Sequence, residues 1–166
     1  SSNTYTYSSK TISPTVIVKD IKGKAISSKN YTVAIPDGRK NAGKYTYVVT
    51  FKNDYEGKKK LTLTIKPAKI TSAGLSYTAY TYNGKVKTPA VTAKAGTLLA
   101  ASKRTTDSTN VDLTYAKGRK SVGSYKVTVK GRGNYTGTIT KTFKINPKGT
   151  SISKLTKGKK SFTVKW

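Results

Sequence analysis

The sequence predicts an all-β protein made of two tandem copies of one small module, and two observations lead to this expectation. Apolar residues alternate with Thr and Lys at a period of two, and ordered groups of residues recur along the chain. Period two places alternate side chains on opposite faces of a strand, so one face enters a core and the other meets water. Short strands separated by Gly, Asn, Asp and Pro are typical of a sandwich or a barrel.

The repeat consists of tyrosines, glycines and prolines that recur in the same order. The spacing is 75 residues early in each copy and 80 residues further along. The change in spacing predicts a five-residue insertion between Ala93 and Val111, where residues 105–110 form a polar loop. The matched groups are Tyr7, Pro14 and Val16 with Tyr82, Pro89 and Val91; residues 38–40 with 118–120; 43–45 with 123–125; 53–57 with 133–137; and Pro67 with Pro147.

The period-two pattern predicts a series of short strands in each copy. One further run, residues 98–102, is the only stretch with a trace of a helical period, and it is short. The expected strands cover residues 16–19, 31–35, 45–51 and 61–66 in the first copy, and 111–115, 126–130 and 143–145 in the second.

A corner motif narrows the expected architecture to a sandwich. In residues 41–47 and again in 121–127, a Gly that turns the chain is followed two residues later by a Tyr. In the corner that enters strand F of immunoglobulin folds, such a tyrosine hydroxyl bonds back to the backbone. The alternative for these tyrosines is stacking against a ligand. We expect four structural residues here: Gly43, Tyr45, Gly123 and Tyr125.

These motifs resemble the tandem bacterial immunoglobulin-like repeats found in large cell-surface and secreted proteins of Gram-positive, Clostridia-type anaerobes. The resemblance is carried by residues 82–85 with Pro89, by the turn at 123–125 and by residues 133–138. It covers both copies, from about Tyr5 to Pro147, and the second copy is closer to the family pattern. It implies two immunoglobulin-like β-sandwich modules in an elongated arrangement, joined by a short linker that proline stiffens.

The expected boundaries follow from the repeat and from the closing prolines. Module 1 covers residues 1–67 and module 2 covers residues 68–147. The remaining segment, 148–166, resembles the first two strands of a fibronectin type III module, of which Trp166 would be the core tryptophan. The resemblance thus implies the truncated start of a third module and a larger parent protein.

The amino-acid composition excludes the common catalytic mechanisms that use His or Cys. The chain has no His and no Cys, so a Ser nucleophile lacks its usual base, and neither a thiolate nor an imidazole-bound metal can form. A carboxylate pair remains at Asp54 and Glu56, but the matching positions in the second copy are Asn134 and Thr136. We interpret these acids as solvated turn residues beside lysines. We expect a non-enzymatic protein with no cofactor and no metal.

Two alternatives to that expectation are a calcium site and a covalent crosslink. Asp107, Asn110 and Asp112 carry oxygens of the kind that calcium prefers, but their spacing matches no standard calcium loop and basic residues precede them. A covalent Lys–Asn crosslink, as in some Gram-positive surface folds, needs a buried acid nearby, and Glu56 is the only Glu in the chain.

Net charge is the most unusual property of the sequence, with 33 Lys and Arg against six Asp and Glu, a net charge of +27. Such a field attracts polyanions, most strongly at low salt. The alternative is that outward lysines keep strand edges from pairing and the protein soluble. The candidate polyanion-contact residues are Arg39, Lys40, Lys58, Lys59, Lys60, Arg119 and Lys120.

Four of the 33 basic residues are arginine, the side chain that clamps phosphates and reads base edges, so we expect no sequence-specific nucleic-acid binding. No stretch reaches the roughly 20 apolar residues of a membrane helix, so we expect no membrane insertion. The leading expectation is a spacer, or stalk, in an extracellular, cell-surface or secreted protein, whose partners are other domains of that protein. The alternative is an adhesion module for anionic polymers, such as teichoic acid or sulfated and sialylated glycans of a cell wall or host.

Overall fold

The computed structural model describes residues 3–165 and shows an all-β fold with several sheets. Its single helical element in that range is a 3-10 turn at Ser28–Asn30, where the Ser27 side chain accepts the amide of Lys29. Among these residues, no helix has the length and apolar character needed to cross a membrane.

The N-terminal half contains one four-stranded sheet in the order β1-β4-β3-β2. The outer strand β1 runs parallel to β4, and the other neighbours are antiparallel. Period-two alternation places four side chains of β3 and β4 in the interior: Tyr47, Val49, Leu63 and Ile65. The strand bounds are β1 (Thr4–Thr6), β2 (Tyr31–Ala34), β3 (Gly43–Phe51) and β4 (Lys58–Lys66).

The C-terminal half repeats this sheet with the same order and register. Its order is β7-β13-β11-β10, and β7 again runs parallel to its neighbour. Gly43 lies opposite Ile65 in the first sheet, and Gly123 lies opposite Ile145 in the second, which is the sequence spacing of 80. The strand bounds are β7 (Ala79–Thr81), β10 (Val111–Tyr115), β11 (Gly123–Gly131) and β13 (Thr138–Asn146).

The C-terminal half carries two further sheets. A three-stranded sheet has the order β6-β8-β9, with β6 (Ser72–Leu75), β8 (Val91–Ala95) and β9 (Leu98–Arg104). A two-stranded parallel sheet pairs β5 (Ala68–Lys69) with β12 (Tyr135–Thr136). Residues 98–102, whose trace of a helical period is too short to predict a helix, lie in β9 and pair with β8. Residues 105–110 form the connection between β9 and β10 without strand structure.

Among the described residues of the N-terminal half, from Asn3 onward, there is no equivalent of the three-stranded sheet. Residues 11–26 contain no strand, and a single bridge joins Lys19 to Ala25. The expected strand at residues 16–19 is therefore wrong. Its alternating side chains satisfy the pattern, but the described chain offers no second backbone along its outer edge, and a strand needs a ladder partner.

The two halves also differ in their apolar cores. The larger cluster belongs to the C-terminal half and includes Phe143, Val91 and Val111, which are fully buried. The smaller cluster joins the buried side chains of Tyr47, Leu63 and Ile65. Complete burial of a side chain such as Phe143 contributes roughly 1.5–3 kcal/mol. Apart from the tyrosines Tyr47 and Tyr135, the buried residues in the described part of the chain carry no polar or charged side chain.

The last described segment forms an antiparallel pair of strands, β14 (Lys154–Lys157) and β15 (Phe162–Lys165). The expected core tryptophan of a third module, Trp166, lies outside the described residues.

Candidate interaction surfaces

The corner before β3 is held by the Tyr45 hydroxyl, which lies 2.7 Å from the carbonyl oxygen of Gly38 and 2.8 Å from that of Asn41. The Tyr45 ring also lies against the chain at Gly43, where an added Cβ would meet the hydroxyl at 3.6 Å. Because the hydroxyl is engaged with backbone carbonyls, this tyrosine stabilises the corner.

The corner before β11 has a similar construction, with one carbonyl partner for the tyrosine hydroxyl where Tyr45 has two. The Tyr125 hydroxyl donates to the Ser121 carbonyl oxygen at 2.8 Å, and a Cβ at Gly123 would meet that hydroxyl at 3.3 Å. The contact at Gly123 is tight enough that a side chain there would displace the tyrosine.

Arg39 and Arg119 use their guanidinium groups within their own corners. Arg39 donates from Nε to the carbonyl oxygen of Ile12 at 3.1 Å and from Nη1 to that of Pro36, and its guanidinium lies 5.9 Å from the ring centre of Tyr47. Such contacts occupy the donors that would clamp an anionic group. Arg39 is therefore part of the packing of its corner.

Arg119 repeats part of this arrangement in the C-terminal half, but its Nε has no hydrogen-bond partner among the described residues. Its Nη1 donates to the Ala116 carbonyl oxygen at 3.1 Å, and the guanidinium lies 5.2 Å from the ring centre of Tyr115. Burial raises the pKa of the Tyr115 hydroxyl, and the nearby positive charge of Arg119 offsets part of that effect. The hydroxyl donates to the carbonyl oxygen of Pro89 at 2.8 Å.

The five candidate lysines are exposed, but the fold does not gather them into one patch. Lys40 precedes β3, whereas Lys58, Lys59 and Lys60 begin β4, where they lie opposite the end of β3. The length of β3 separates the two groups by about 23 Å, since extended chain rises about 3.3 Å per residue. Lys120 occupies the position of Lys40 in the C-terminal half. The exposed positive charge is therefore spread over the surface.

The acidic candidates are engaged in local contacts. Asp112 forms an ion pair with Arg132, in which Oδ1 and Nη1 are 2.8 Å apart. This contact raises the pKa of the Arg132 guanidinium. The Asp107 carboxylate accepts the backbone amide of Leu113 at 2.6 Å, so it caps the turn that leads into β10. Because the Arg132 guanidinium already contacts the Asp112 carboxylate, its positive charge disfavours binding of a metal cation to the same oxygens. No group of three or more His, Cys, Asp or Glu side chains converges within the described residues.

The two halves are joined by contacts of Asn134 that the sequence pattern did not predict, and we call these contacts the joint. The Asn134 side chain accepts the backbone amide of Ala42 at 2.7 Å and donates to Oδ1 of Asn41 at 2.9 Å. Its own carbonyl oxygen accepts the amide of Ala68 at 2.9 Å, in the linker that follows Pro67. One turn of the C-terminal half therefore binds both the linker and the β3 corner of the N-terminal half.

Two tyrosines close the apolar side of this joint. Tyr7 meets Tyr135 edge to face, with ring centres 5.4 Å apart, and Tyr7 packs against both apolar clusters. Tyr135 is 5% exposed. Its burial and the adjacent Tyr7 raise the pKa of the Tyr135 hydroxyl. No periodicity marks Asn134 as a contact residue, because its partners lie more than 90 positions earlier in the chain.

Comparison with models of known protein families and with curated proteins found no match to this chain.

Proposed function

We propose that this chain is a non-catalytic spacer: two tandem immunoglobulin-like sandwich modules that hold other domains of a larger cell-surface or secreted protein apart. The joint at Asn134 is the observation that carries the proposal. A spacer transmits separation only if its units keep a fixed orientation, and a short linker alone leaves rotation free.

Three features of the joint support a fixed orientation. Asn134 makes hydrogen bonds to the corner of the preceding half, its carbonyl binds the linker, and the Tyr7–Tyr135 contact adds apolar burial. An aromatic pair of this kind contributes roughly 0.5–1.5 kcal/mol beyond the area that it buries. The apolar interiors of both halves also fit a structural role, because the reactive groups of an enzyme are polar and converge in a cleft.

The test is whether the two halves tumble as one body in solution. In the full chain, ¹⁵N relaxation of amides in β3–β4 and in β11–β13 should give the same rotational correlation time. Asn134→Ala removes both side-chain bonds of the joint, so the two values should diverge. Asp54→Ala is the matched control, because Asp54 occupies the same position in the first copy and lies exposed outside the joint. Independent tumbling of the two halves in the wild-type protein would refute the spacer proposal.

Adhesion to an anionic polymer is the second candidate, and the charge of the surface favours it. The net charge is +27, and the described residues include a single ion pair, between Arg132 and Asp112. Since Arg39 and Arg119 are engaged in their corners, such binding would depend on lysines. Lysine contacts are point charges that attract any polyanion without reading its geometry.

Heparin affinity at two salt concentrations separates the two candidates. A binder keeps measurable affinity at about 0.15 M salt, where the Debye length is about 8 Å, and a spacer with a solvated surface does not. The combined change of Lys58, Lys59 and Lys60 to Gln should then weaken a binder more than the combined change of Lys22, Lys24 and Lys29 to Gln. The two variants lose the same charge, so an equal loss of affinity would show that net charge alone is responsible.

A further inference from the structure

The C-terminal half is closed by one stretch of chain, residues 68–75, which we call the closing segment. Ala68 and Lys69 pair with Tyr135 and Thr136 of β12, and the amide of Ile70 donates to the Thr136 carbonyl oxygen at 2.8 Å. The segment then continues as β6, which lies antiparallel to β8. Four of its side chains pack into the larger core: Ala68, Ile70, Ala73 and Leu75.

A groove in the N-terminal half lies at the position that β6 fills in the C-terminal half. It has a volume of about 310 Å³, and Val16, Ile17, Leu61 and Leu63 are among its lining residues. By the repeat spacing of 75, Val16 and Ile17 correspond to Val91 and Thr92, which pair with Leu75 and Gly74 of β6. We call this the strand groove.

The edge of the strand groove carries unpaired backbone. Val18 accepts the amide of Ile26, which corresponds to the pairing of Ala93 with Ala101 on the inner edge of β8. The outer edge has no such partner: Ile17 lies in no strand, is 69% exposed, and makes no backbone hydrogen bond within residues 3–165. An open edge with exposed aliphatic side chains is a template for an added strand.

The interior of the strand groove holds an unsatisfied polar atom. Tyr47 lines the groove and is 3% exposed, and its buried hydroxyl has no hydrogen-bond partner among the described residues. A buried polar group without a partner costs roughly 1–3 kcal/mol. The corresponding residue in the closed half is Val127, which needs no partner. The hydroxyl is therefore a polar group specific to the open half.

A second groove lies where Ala68, Lys69 and Ile70 would sit. It also has a volume of about 310 Å³ and is lined in part by Ile21, Phe51, Tyr55 and Glu56. Tyr55 is 38% exposed, whereas its counterpart Tyr135, covered in the closed half, is 5% exposed. We call this the tyrosine groove.

Two glycines at corresponding positions of the repeat, Gly57 and Gly137, show the same difference in cover. A Cβ at Gly137 would lie 3.3 Å from the Lys69 side chain and 3.7 Å from the Ile70 backbone, whereas a Cβ at Gly57 would meet nothing within 4 Å. Both glycines have a φ of about 90°, so the backbone is the same and only the cover differs.

The negative charge of Glu56 gives the tyrosine groove a preference for a basic residue. Lys69 of the closing segment lies opposite Thr136, and the counterpart of Thr136 in the N-terminal half is Glu56. A lysine at that position of a bound strand would face a carboxylate. A pair of opposite charges directly across two strands contributes roughly 0.2–1 kcal/mol.

We infer that the N-terminal half is a strand acceptor, in which the strand and tyrosine grooves together take one extended peptide segment with the pattern of the closing segment. Its aliphatic residues fill the positions of Ala68, Ile70, Ala73 and Leu75, and a lysine faces Glu56. Binding extends the backbone ladder along Val16–Lys19 and offers hydrogen-bond partners to Tyr47. This inference goes beyond the spacer role and does not depend on it.

The repeat spacing provides a test with the full chain, because Ser76, which follows the closing segment, corresponds to Ser1. A fusion that places a copy of residues 68–75 directly before Ser1 should deliver the strand in register. We expect amide hydrogen exchange at Ile17 and Glu56 to slow by at least about tenfold, as expected for a locally closed structure. The control fusion carries Asp in place of the copied Ile70 and Leu75, and it should leave exchange unchanged.

A second variant and a second readout make the test specific. Within the fusion, Glu56→Thr reproduces the residue of the closed half, and it should lose part of the protection at the tyrosine groove while keeping that at the strand groove. Equal protection in the two fusions would overturn the inference. Concentration-dependent protection of the same amides in the unfused chain, with dimer formation by sedimentation, would also overturn it, because the occupant would then be a second copy.

Discussion

Each half of this chain contains a four-stranded sheet of the same order, but the two sheets differ in how they are covered. β3 and β4 repeat in β11 and β13 with the same register, and the corner tyrosines make the same type of bond. The C-terminal half adds residues 68–75 across its open side, and the N-terminal half has two grooves at the corresponding place.

The difference shows which features of the fold depend only on residues that are close together in the sequence. The hairpins form from neighbouring strands whose alternation and turns lie in one stretch of sequence. Closure instead needs a segment that lies before its own sheet in the chain and pairs with residues 16 to 67 positions later. A half can therefore possess every hairpin and still leave its second face incomplete.

The largest effect expected from this comparison concerns two isoleucines at the same sheet position. Ile65 and Ile145 are each 2% exposed, but Ile65 belongs to the smaller cluster and Ile145 to the larger one. Ile145→Ala should reduce the free energy of unfolding of its half by about 4 kcal/mol, and Ile65→Ala by about 2 kcal/mol, because a cavity costs most where packed neighbours cannot relax. Urea unfolding followed by amide signals from each half measures both values. Equal losses would mean that the open half is packed as firmly as the closed one.

The next effect concerns Gly131, whose counterpart is Phe51. A Cβ at Gly131 would approach the Thr136 backbone to between 2.7 and 2.9 Å, and Thr136 is itself paired with Lys69. Gly131→Ala should destabilise the C-terminal half by roughly 1–3 kcal/mol, the usual cost of overpacking. Gly74→Ala is the control, because a Cβ there meets nothing within 4 Å. Equal urea midpoints for the two variants would show that the β12 turn yields freely.

Much of the sheet structure was predictable from local pattern. The expected strands at residues 31–35, 45–51, 111–115 and 143–145 correspond to β2, β3, β10 and β13, with shifts at their ends. The polar insertion at 105–110 is a loop. These features depend on alternation and turn residues, which are encoded in short stretches.

What failed depended on distant partners. Residues 16–19 have the alternation of a strand without a ladder along their outer edge, and residues 98–102 were ambiguous until β8 was known to lie beside them. The joint at Asn134 joins residues 92 and 93 positions apart. Arg39 and Arg119 appeared as surface charge, because sequence gives no sign that a guanidinium will reach a carbonyl of its own corner.

The corner tyrosines test whether the halves differ only in their cover. Tyr45→Phe and Tyr125→Phe each remove a hydroxyl that donates to the corresponding carbonyl, of Asn41 or of Ser121, and each should cost about 1 kcal/mol. The closing segment touches neither bond, so the two losses should agree. Urea midpoints of the separate halves give the comparison. A much larger loss in one half would mean that the corners also differ in energy.

The smallest effect is a loss of stability at high pH in the C-terminal half. Burial raises the pKa of the Tyr80 and Tyr115 hydroxyls above the ordinary value of 10.0, so the folded state holds these protons more tightly than the unfolded chain. The resulting stability is complete below the ordinary pKa and is lost as the pH rises through the folded-state pKa. The urea midpoint of this half should therefore stay constant up to about pH 10, the ordinary tyrosine pKa, and fall as the pH rises above it. Tyr115→Phe should make that fall smaller, and an unchanged fall in the variant would exclude Tyr115 as a source.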